Sequence, residues 1–233
     1  MKPPPVKFPL LSSIPRYSKN GFTLIELLMV IAVIVILAGI TFGISRGVQN
    51  AQARAQAKAE LMTISQALEQ FKSSNGDYPW TEQGVDASEA NAVVLLNALL
   101  GWKEFKRTGG SVDFVDVLPG DVPASGPNEF LDPSKFSIRR MGSDEEYVDL
   151  PDTSSTAPSG YYLVDPWGRP YVYVYGKKSG ASNTWEVFGY HLYSMGLDKM
   201  QNVSAINSST GEMDSNFREI GAGENIDNIY VGE

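Results

Sequence analysis

The 233-residue sequence lacks cysteine and has one histidine, His191. Without cysteine, neither a disulfide framework nor a thiolate metal site can form. His191 is not accompanied by a Gly-x-Ser-x-Gly frame or a comparable nucleophile, so a hydrolase is not indicated. A phosphate-binding loop and an isolated pair of catalytic carboxylates are also missing from the sequence. We therefore expect no enzymatic activity, and we interpret His191 as a strand residue.

Basic residues are few, with 19 Lys and Arg against 27 Asp and Glu, which gives a formal net charge of −8. Four of the basic residues, and no acidic ones, lie in residues 1–21. Removal of that segment would take the formal charge to −12. A strongly acidic domain is poorly suited to binding nucleic acid through its phosphates. Such a domain is instead able to attract divalent cations.

One long apolar run dominates the N-terminal region. Residues 22–44 contain a single charged residue, Glu26. At about 1.5 Å per residue, a helix of this length covers roughly 35 Å, enough to cross a bilayer core. Hydropathy alone would allow a plain signal anchor, but a carboxylate within a membrane segment usually marks a functional pairing. The run therefore predicts a transmembrane helix in which Glu26 has a specific role.

The segment before this run, residues 1–21, has the features of a processing signal. It contains five prolines, which exclude a regular helix, and its charge is entirely basic. Basic segments flanking a membrane helix stay on the cytoplasmic side. We therefore predict a cytoplasmic leader and export of the remainder of the chain.

Residues 45–75 continue the helical pattern without an interrupting proline. They are rich in good helix formers, and Leu61, Ile64, Leu68 and Phe71 recur at the spacing of one buried helical face. The sequence thus predicts one helix from about residue 22 to residue 72. Its part within 22–44 would lie in a membrane or a filament core, and the amphipathic continuation at 45–75 would pack on a globular domain.

Residues 76–233 are predicted to form the exported domain. A second helix is expected over 88–100, and a solvated loop with an acidic cluster over 101–160. Alternation in Tyr171–Tyr175 and the pattern of Thr184–Ser194 predict two strands of a hairpin. The fold class is therefore α+β, with a long N-terminal helix packed on a small antiparallel sheet of about three or four strands.

The sequence Gly21-Phe22-Thr23-Leu24-Ile25-Glu26 resembles the processing segment of type IV pilins and type II secretion pseudopilins. This resemblance implies a type IV pilin-like fold and cleavage between Gly21 and Phe22 by a prepilin peptidase. It also implies methylation of the new Phe22 amine and an assembly role for Glu26, which would be the fifth residue of the mature chain.

Three further sequences resemble the major pseudopilins of type II secretion, the general secretion pathway protein G family. They are Asn75-Gly76-Asp77-Tyr78-Pro79, Thr81-Glu82-Gln83-Gly84 and Asp165-Pro166-Trp167-Gly168. The resemblance implies a subunit held in the bacterial inner membrane by a single pass, with its domain in the periplasm. It would polymerise through its helix into a periplasmic filament that supports protein export across the outer membrane. Its expected partners are other copies of itself, the prepilin peptidase, the inner-membrane assembly platform and minor pseudopilins.

Two other functions remain open from the sequence. A type IV pilin used for adhesion, motility or DNA uptake would share the N-terminal segment. A signal-anchored periplasmic protein that never polymerises would share the hydropathy but would not need Glu26 or the Gly21–Phe22 junction.

The resemblance also implies calcium in the C-terminal loop. The matching residues, which we take as candidate ligands, are Leu192, Ser194, Asp198, Asn225 and Asp227. Calcium takes six to eight oxygen ligands from a loop of this kind. The chain departs from the family pattern at Lys199, where glycine is common, and by an Asn- and Ser-rich stretch that we call the 199–222 insertion. The alternative is a solvated loop with ordinary turn residues.

Overall fold

A computed structural model of the chain describes residues 21–81, 88–143, 147–176, 189–207 and 210–232. The chain divides into two compact units, of which the first ends at Arg46 and the second begins at Gly47. Several predicted features lie outside the described residues: the leader up to residue 20, the acids 144–146, most of the Thr-Glu-Gln-Gly sequence and the hairpin loop after residue 176.

The described residues form two long helices, seven strands and three short 3-10 helices. The helices are α1 (Leu24–Asn75) and α2 (Ser88–Leu99). The strands are β1 (Lys103–Thr108), β2 (Ser111–Asp116), β3 (Ser137–Arg140), β4 (Tyr161–Val164), β5 (Val172–Val174), β6 (His191–Ser194) and β7 (Ile229–Tyr230). The 3-10 turns are Pro133–Lys135, Val203–Ala205 and Ile220–Gly223. The predicted α+β class and both predicted helices are confirmed.

In the first unit, α1 presents its apolar side chains outward. Every large apolar residue from Phe22 to Leu37 is between 50% and 86% exposed. The part of the chain that the structure describes includes no helix with both the length and the hydropathy of a membrane span.

In the second unit, α1 is amphipathic as predicted. Leu61, Ile64, Leu68 and Phe71 are at most 1% exposed and belong to the main hydrophobic core. The helix ends at Asn75, and Gly76 follows with φ of 94° while its N–H donates to the Lys72 carbonyl at 2.7 Å. A glycine in the left-handed conformation is the usual helix terminator. The Asn-Gly stop is therefore confirmed.

The strands of the second unit form three small antiparallel sheets, with pairings β1–β2, β3–β4 and β5–β6–β7. The prediction of one sheet with three or four strands therefore undercounts the strands. The error arises in residues 101–160, which we predicted to be a loop but which contain β1, β2 and β3. These strands are rich in charged residues, so the hydrophobic pattern that marks a strand is weak there.

The β1–β2 hairpin nevertheless packs against the core. Its turn is formed by Gly109 and Gly110, whose φ values of 59° and 95° match the two-residue turn of a hairpin. Phe105 and Phe114 face each other across the pair and contact Phe71 of α1 edge-on, with ring centroids 6.2 and 6.3 Å apart. Tertiary packing on the helix thus stabilises a hairpin whose own sequence is largely polar.

Strand β5 does not alternate between core and solvent as predicted. Tyr171, Tyr173 and Tyr175 on one face, and Val172 and Val174 on the other, are all at most 2% exposed. The three tyrosine hydroxyls donate to protein acceptors, so their burial leaves no unpaired O–H group. The returning strand is also shorter than predicted: β6 begins at His191, and residues 184–188 lie outside the described part.

Glu60 is the one acidic residue on the buried face of α1 in this unit, with 9% of its surface exposed. The Tyr171 hydroxyl donates to its Oε2, and Gln56 Nε2 donates to its Oε1 at 2.7 Å. Burial raises the pKa of the Glu60 carboxyl, and the negative charge of nearby Asp165 acts in the same direction. The folded-state pKa of Glu60 therefore lies above the usual glutamate value of about 4.3. The free energy of unfolding falls as pH rises from that usual value through the folded-state pKa, because the buried carboxyl must then ionise.

We predict that Glu60→Gln flattens this pH dependence. The glutamine amide oxygen can accept from the Tyr171 hydroxyl, and its Nε2 can donate to the Gln56 amide oxygen once that exposed amide turns over, so the packing is kept and the buried charge is removed. Thermal unfolding of the full chain in detergent should show a higher Tm than the parent at pH 8, by about 2–4 °C for each kcal/mol gained, and no difference near pH 4. Glu129→Gln, at an exposed position, is the control. A lower Tm at pH 8 would mean that the charge itself stabilises this helix.

Candidate functional site

The first candidate site is the start of α1. Thr23 precedes the helix, and its N–H and hydroxyl both donate to Glu26 Oε2 at 2.8 Å, while Glu26 N donates to Thr23 Oγ1 at 3.3 Å. This reciprocal arrangement is a capping box, which satisfies N–H groups that a helix start leaves unpaired. Glu26 also places negative charge at the positive end of the helix dipole. These hydrogen bonds hold the Glu26 carboxylate beside Thr23, the residue that follows Phe22.

The junction before this capping box is open. Phe22 is 86% exposed, and a Cβ added to Gly21 would meet no atom within 4 Å. Among the described residues, therefore, no side chain or backbone atom would obstruct a larger residue at position 21.

The second candidate site is the loop between β6 and β7. Pairing of Ser194 with Ile229 brings the turn 195–198 beside residues 225–228. Gly196, with φ of 73°, lies so close to Asp227 that an added Cβ would overlap the Asp227 backbone oxygen and lie 2.8 Å from Oδ2. Only glycine fits this contact, which sets how closely the two halves of the loop approach.

Asp198 and Asp227 meet at this contact. Asp198 N–H donates to Asp227 Oδ2 at 2.9 Å, and Asp198 Oδ1 accepts from Met200 N at 2.8 Å. Burial raises the pKa of the Asp198 carboxyl, and the Asp227 charge also raises it. Asp227 Oδ1 is buried without a hydrogen-bond partner. An unpaired buried carboxylate oxygen is costly, so this atom is suited to a positive ligand.

The other three predicted ligands are engaged by the protein. The Leu192 carbonyl accepts from Val231 N at 3.3 Å within the β6–β7 pairing. Ser194 Oγ donates to Asp165 Oδ2 at 2.6 Å. Asn225 Oδ1 accepts from Asn202 N at 2.8 Å. The structure therefore brings Asp198 and Asp227 together and gives Leu192, Ser194 and Asn225 hydrogen bonds elsewhere.

Asp165 is a residue that the sequence marked only as part of a turn. It is fully buried, and its Oδ1 accepts from the N–H groups of Trp167 and Arg169 at 3.0 and 2.9 Å. Its Oδ2 holds Ser194 Oγ, which in turn accepts from Gly196 N at 3.1 Å. Burial raises the pKa of the Asp165 carboxyl, and these hydrogen bonds act in the opposite direction. The Asp-Pro-Trp-Gly turn thus positions Gly196, and through it the Asp227 contact.

The described part of the 199–222 insertion folds onto this sheet. Phe217 packs edge-on against Tyr230 with ring centroids 4.9 Å apart, and His191 Nε2 lies 2.7 Å from the Gly211 carbonyl oxygen. His191 is a strand residue, as predicted, and burial lowers its pKa. Among the described residues, Lys199 is the single non-glycine residue with positive φ, at 61°. A residue with a side chain, such as lysine, costs about 1–2 kcal/mol in this conformation.

Within the described ranges, three or more His, Cys, Asp or Glu side chains do not come together as a metal-binding group. A cation held by this loop would therefore depend on the two aspartates with amide and backbone carbonyl oxygens, which are ligands that calcium accepts. Backbone carbonyls carry no side-chain signal, so the sequence indicated one of them, that of Leu192, only through the family resemblance.

Two family models match the chain. Residues 16–42 match the prokaryotic N-terminal methylation motif, and residues 45–94 match type II secretion system (T2SS), protein G. Together these matches include the junction after residue 21, most of the apolar run at 22–44 and all of the amphipathic continuation at 45–75.

Curated relatives are similar over a larger part of the chain. Type II secretion system core protein G of Aeromonas hydrophila is 32% identical over 133 residues, which cover 55% of this chain and 85% of the relative. The protein of the same name from Pseudomonas aeruginosa is 26% identical over 132 residues, covering 55% of this chain and 87% of the relative. That of Klebsiella michiganensis is 35% identical over 72 residues, covering 31% and 51%. No solved structure matches the chain.

Proposed function

The chain belongs to the type II secretion system protein G family, the major pseudopilins, and we infer from this that it is a structural subunit of a type II secretion pseudopilus. We propose that it polymerises through α1 into a periplasmic filament that supports protein export across the outer membrane. Its role is structural, as in these relatives, and we propose no enzymatic activity for it.

One observation carries the proposal of polymerisation through α1. Thirteen large apolar side chains between Phe22 and Leu37 are at least half exposed in the isolated chain. Removing one large apolar side chain from water contributes about 1.5–3 kcal/mol of favourable free energy. Covering all thirteen would contribute on the order of 20 kcal/mol. A lipid bilayer and a bundle of neighbouring helices both supply an apolar cover. A subunit can therefore move from one to the other without exposing this surface to water.

We propose that the inner membrane holds the subunit before assembly, with its domain in the periplasm. Support comes from the sequence, in which residues 22–44 form an apolar run after a basic leader. The proposed partners are other copies of the chain, the inner-membrane assembly platform and minor pseudopilins.

We propose that a prepilin peptidase cuts between Gly21 and Phe22 and that the new amine is then methylated. The match to the methylation motif over residues 16–42 supports this assignment. The open surroundings of Gly21 among the described residues support it too, because an enzyme that cuts the chain must approach the backbone there.

The proposed role of Glu26 has two parts. Within the chain it closes the capping box with Thr23, which fixes where α1 begins. In a filament its carboxylate would lie among apolar helices, where an unpaired charge is disfavoured. The cleaved amine of Phe22, from the same chain or a neighbour, is the proposed counter-charge. Pairing between subunits would fix the axial offset at which a new subunit docks.

Substitution of Glu26 tests this proposal and separates its two parts. Glu26→Ala removes both the cap and the charge, whereas Glu26→Gln keeps the capping geometry and removes the charge. We expect both variants to reach the membrane with a folded domain and to form no filaments. The measurements are membrane fractionation and electron microscopy of sheared filaments. Normal filaments from Glu26→Gln would show that the cap and not the charge is needed, and normal filaments from both would contradict the assembly role.

We also propose that the β6–β7 loop binds calcium. The residues suited to hold it are Asp198 and Asp227, because the Asp198 backbone N–H donates to Asp227 Oδ2 and the Asp227 carboxylate has a buried oxygen, Oδ1, without a partner among the described residues. Bound calcium would supply the positive charge that lets two neighbouring carboxylates stay ionised. Asp165, Ser194 and Gly196 would act indirectly, by holding the turn against Asp227.

Calcium should then stabilise the protein, because a ligand that binds only the folded state raises its stability by mass action. At a hundredfold excess over Kd the gain is about 2.7 kcal/mol. We expect the full chain in detergent to have a higher Tm in calcium than in chelator, and Asp198→Ala or Asp227→Ala to reduce that difference. Asp113→Ala, an exposed acid on β2, should leave it unchanged. Identical melting curves in calcium and chelator for the unmutated chain would contradict the proposal.

A further inference from the structure

Helix α1 has a second apolar face within the second unit, opposite the face that packs in the core. The core face includes Leu61, Ile64 and Leu68. On the other side, apolar residues recur at spacings of three and four, and all are exposed: Val48, Ala51, Ala55, Ala59 and Met62. At about 3.6 residues per turn, this spacing keeps them together on one side of the helix. We call these residues the outer face of α1.

An exposed apolar face of this kind is unusual, because the side of a surface helix that meets water is normally polar. Val48 and Met62 are both more than half exposed, and the positions between them on this face are alanines. Gln52 on one side and Lys58 on the other form polar borders. The outer face is therefore a shallow apolar strip, suited to large apolar side chains that protrude from a partner.

Protruding apolar side chains of this type lie on the loop between β6 and β7. Leu197, Met200 and Ile226 are each at least half exposed. They come from the stretches 197–202 and 225–228, which are joined side by side by backbone-to-side-chain hydrogen bonds of 2.9 and 2.8 Å. We call Leu197, Met200 and Ile226 the loop patch.

A single chain does not place its loop patch over its own outer face. Arg54 Nη2 lies 3.5 Å from the Asp227 carbonyl oxygen, so the loop lies beside α1 at this residue. Arg54 precedes Ala55, in the middle of the outer face, and consecutive side chains are about 100° apart around a helix. The loop thus meets the flank of α1, and both apolar surfaces stay exposed. Their cover has to come from outside the chain.

The size and position of the two surfaces favour a second copy of this chain as the partner. Subunits of a filament meet through heterologous contacts, in which one surface docks on a different surface of the next subunit. The flat outer face and the protruding loop patch are complementary in this sense. A stable complex buries about 800 Å² on each partner, which three side chains cannot supply. The contact therefore forms only between subunits that are already held together, as they are if they assemble through α1.

We propose that the loop patch of one subunit packs on the outer face of α1 in a neighbouring subunit. This inference rests on the filament assembly proposed above and adds a second contact to it. Because the outer face occupies one side of α1, the contact orients each exported domain relative to its neighbour's helix.

Disulfide trapping tests the contact directly, because the chain has no cysteine of its own. One copy carries Ala55→Cys and a second, co-expressed copy carries Ile226→Cys, so a disulfide can join them only between subunits. We expect a covalent dimer in sheared filaments when both copies are present and none when either is alone. Leu118→Cys in place of Ile226→Cys, at an exposed apolar position outside the loop, should give no dimer. Filaments without a dimer from the first pair, or an equal dimer from the second, would overturn the contact.

Substitution on each side measures what the contact contributes. Ile226→Lys and Met62→Lys each place a charge in it, and we expect subunit docking to weaken by at least about tenfold, with a matching fall in filament yield. Ile226→Val keeps an apolar side chain and should assemble like the parent, as should Leu118→Lys. All four variants should melt like the parent in detergent, since the altered positions are exposed. A parent-like filament yield from Ile226→Lys or from Met62→Lys would contradict the proposal.

A lipid surface is the alternative cover for the loop patch. In lipid vesicles that hold the full chain without assembly machinery, Ile226→Cys should react freely with a water-soluble thiol reagent, and it should lose this reactivity in filaments. Protection already present in the vesicles would assign the patch to lipid and overturn the inference. If the unmutated chain forms no filaments, the proposed function itself fails. If filaments form and Ile226→Cys stays reactive in them, this inference alone fails.

Discussion

The apolar surface at the start of α1 is the constraint on which the rest of the account depends. A helix whose large apolar side chains from Phe22 to Leu37 are at least half exposed cannot be stable in water. The same helix is amphipathic beyond residue 47, where Leu61, Ile64, Leu68 and Phe71 are buried in the domain core. One continuous helix therefore has an assembly part, which needs an external apolar cover, and a folding part, which is covered by its own domain. Glu26 is the one charge in the assembly part, and this position makes it suited to specify how subunits dock.

The C-terminal loop follows a different principle, since its shape depends on buried polar groups and not on apolar packing. Asp165 holds Ser194, Ser194 holds Gly196, and Gly196 lies against Asp227. On the other side, Asn225 holds Asn202 and Phe217 of the insertion. Such networks stabilise a loop only when each member is satisfied. Among the described residues, Asp227 Oδ1 is the atom at which this network is incomplete, and it lies where calcium is proposed to bind.

The sequence predicts the parts of this molecule that depend on local pattern. The helical spacing of Leu61 to Phe71 and the Asn75-Gly76 stop gave α1 correctly, because both signals act within a few residues. Strands β1 to β3 were missed because their stability comes from contacts such as Phe105 and Phe114 on Phe71, which join distant parts of the chain. In the loop, the family resemblance implied Asp198 and Asp227 as calcium ligands but could not show that Ser194 and Asn225 bind other protein groups.

The mature N-terminus tests the central claim, that this chain is processed as an assembly subunit, most directly. The measurement is the intact mass of the protein extracted from membranes of cells that contain a prepilin peptidase. The account predicts a chain that begins at Phe22 and carries one added methyl group on the Phe22 amine. A chain that begins at Met1, or one that begins beyond Ile44, would contradict it, since the first would keep the leader and the second would lack the helix through which subunits are proposed to assemble.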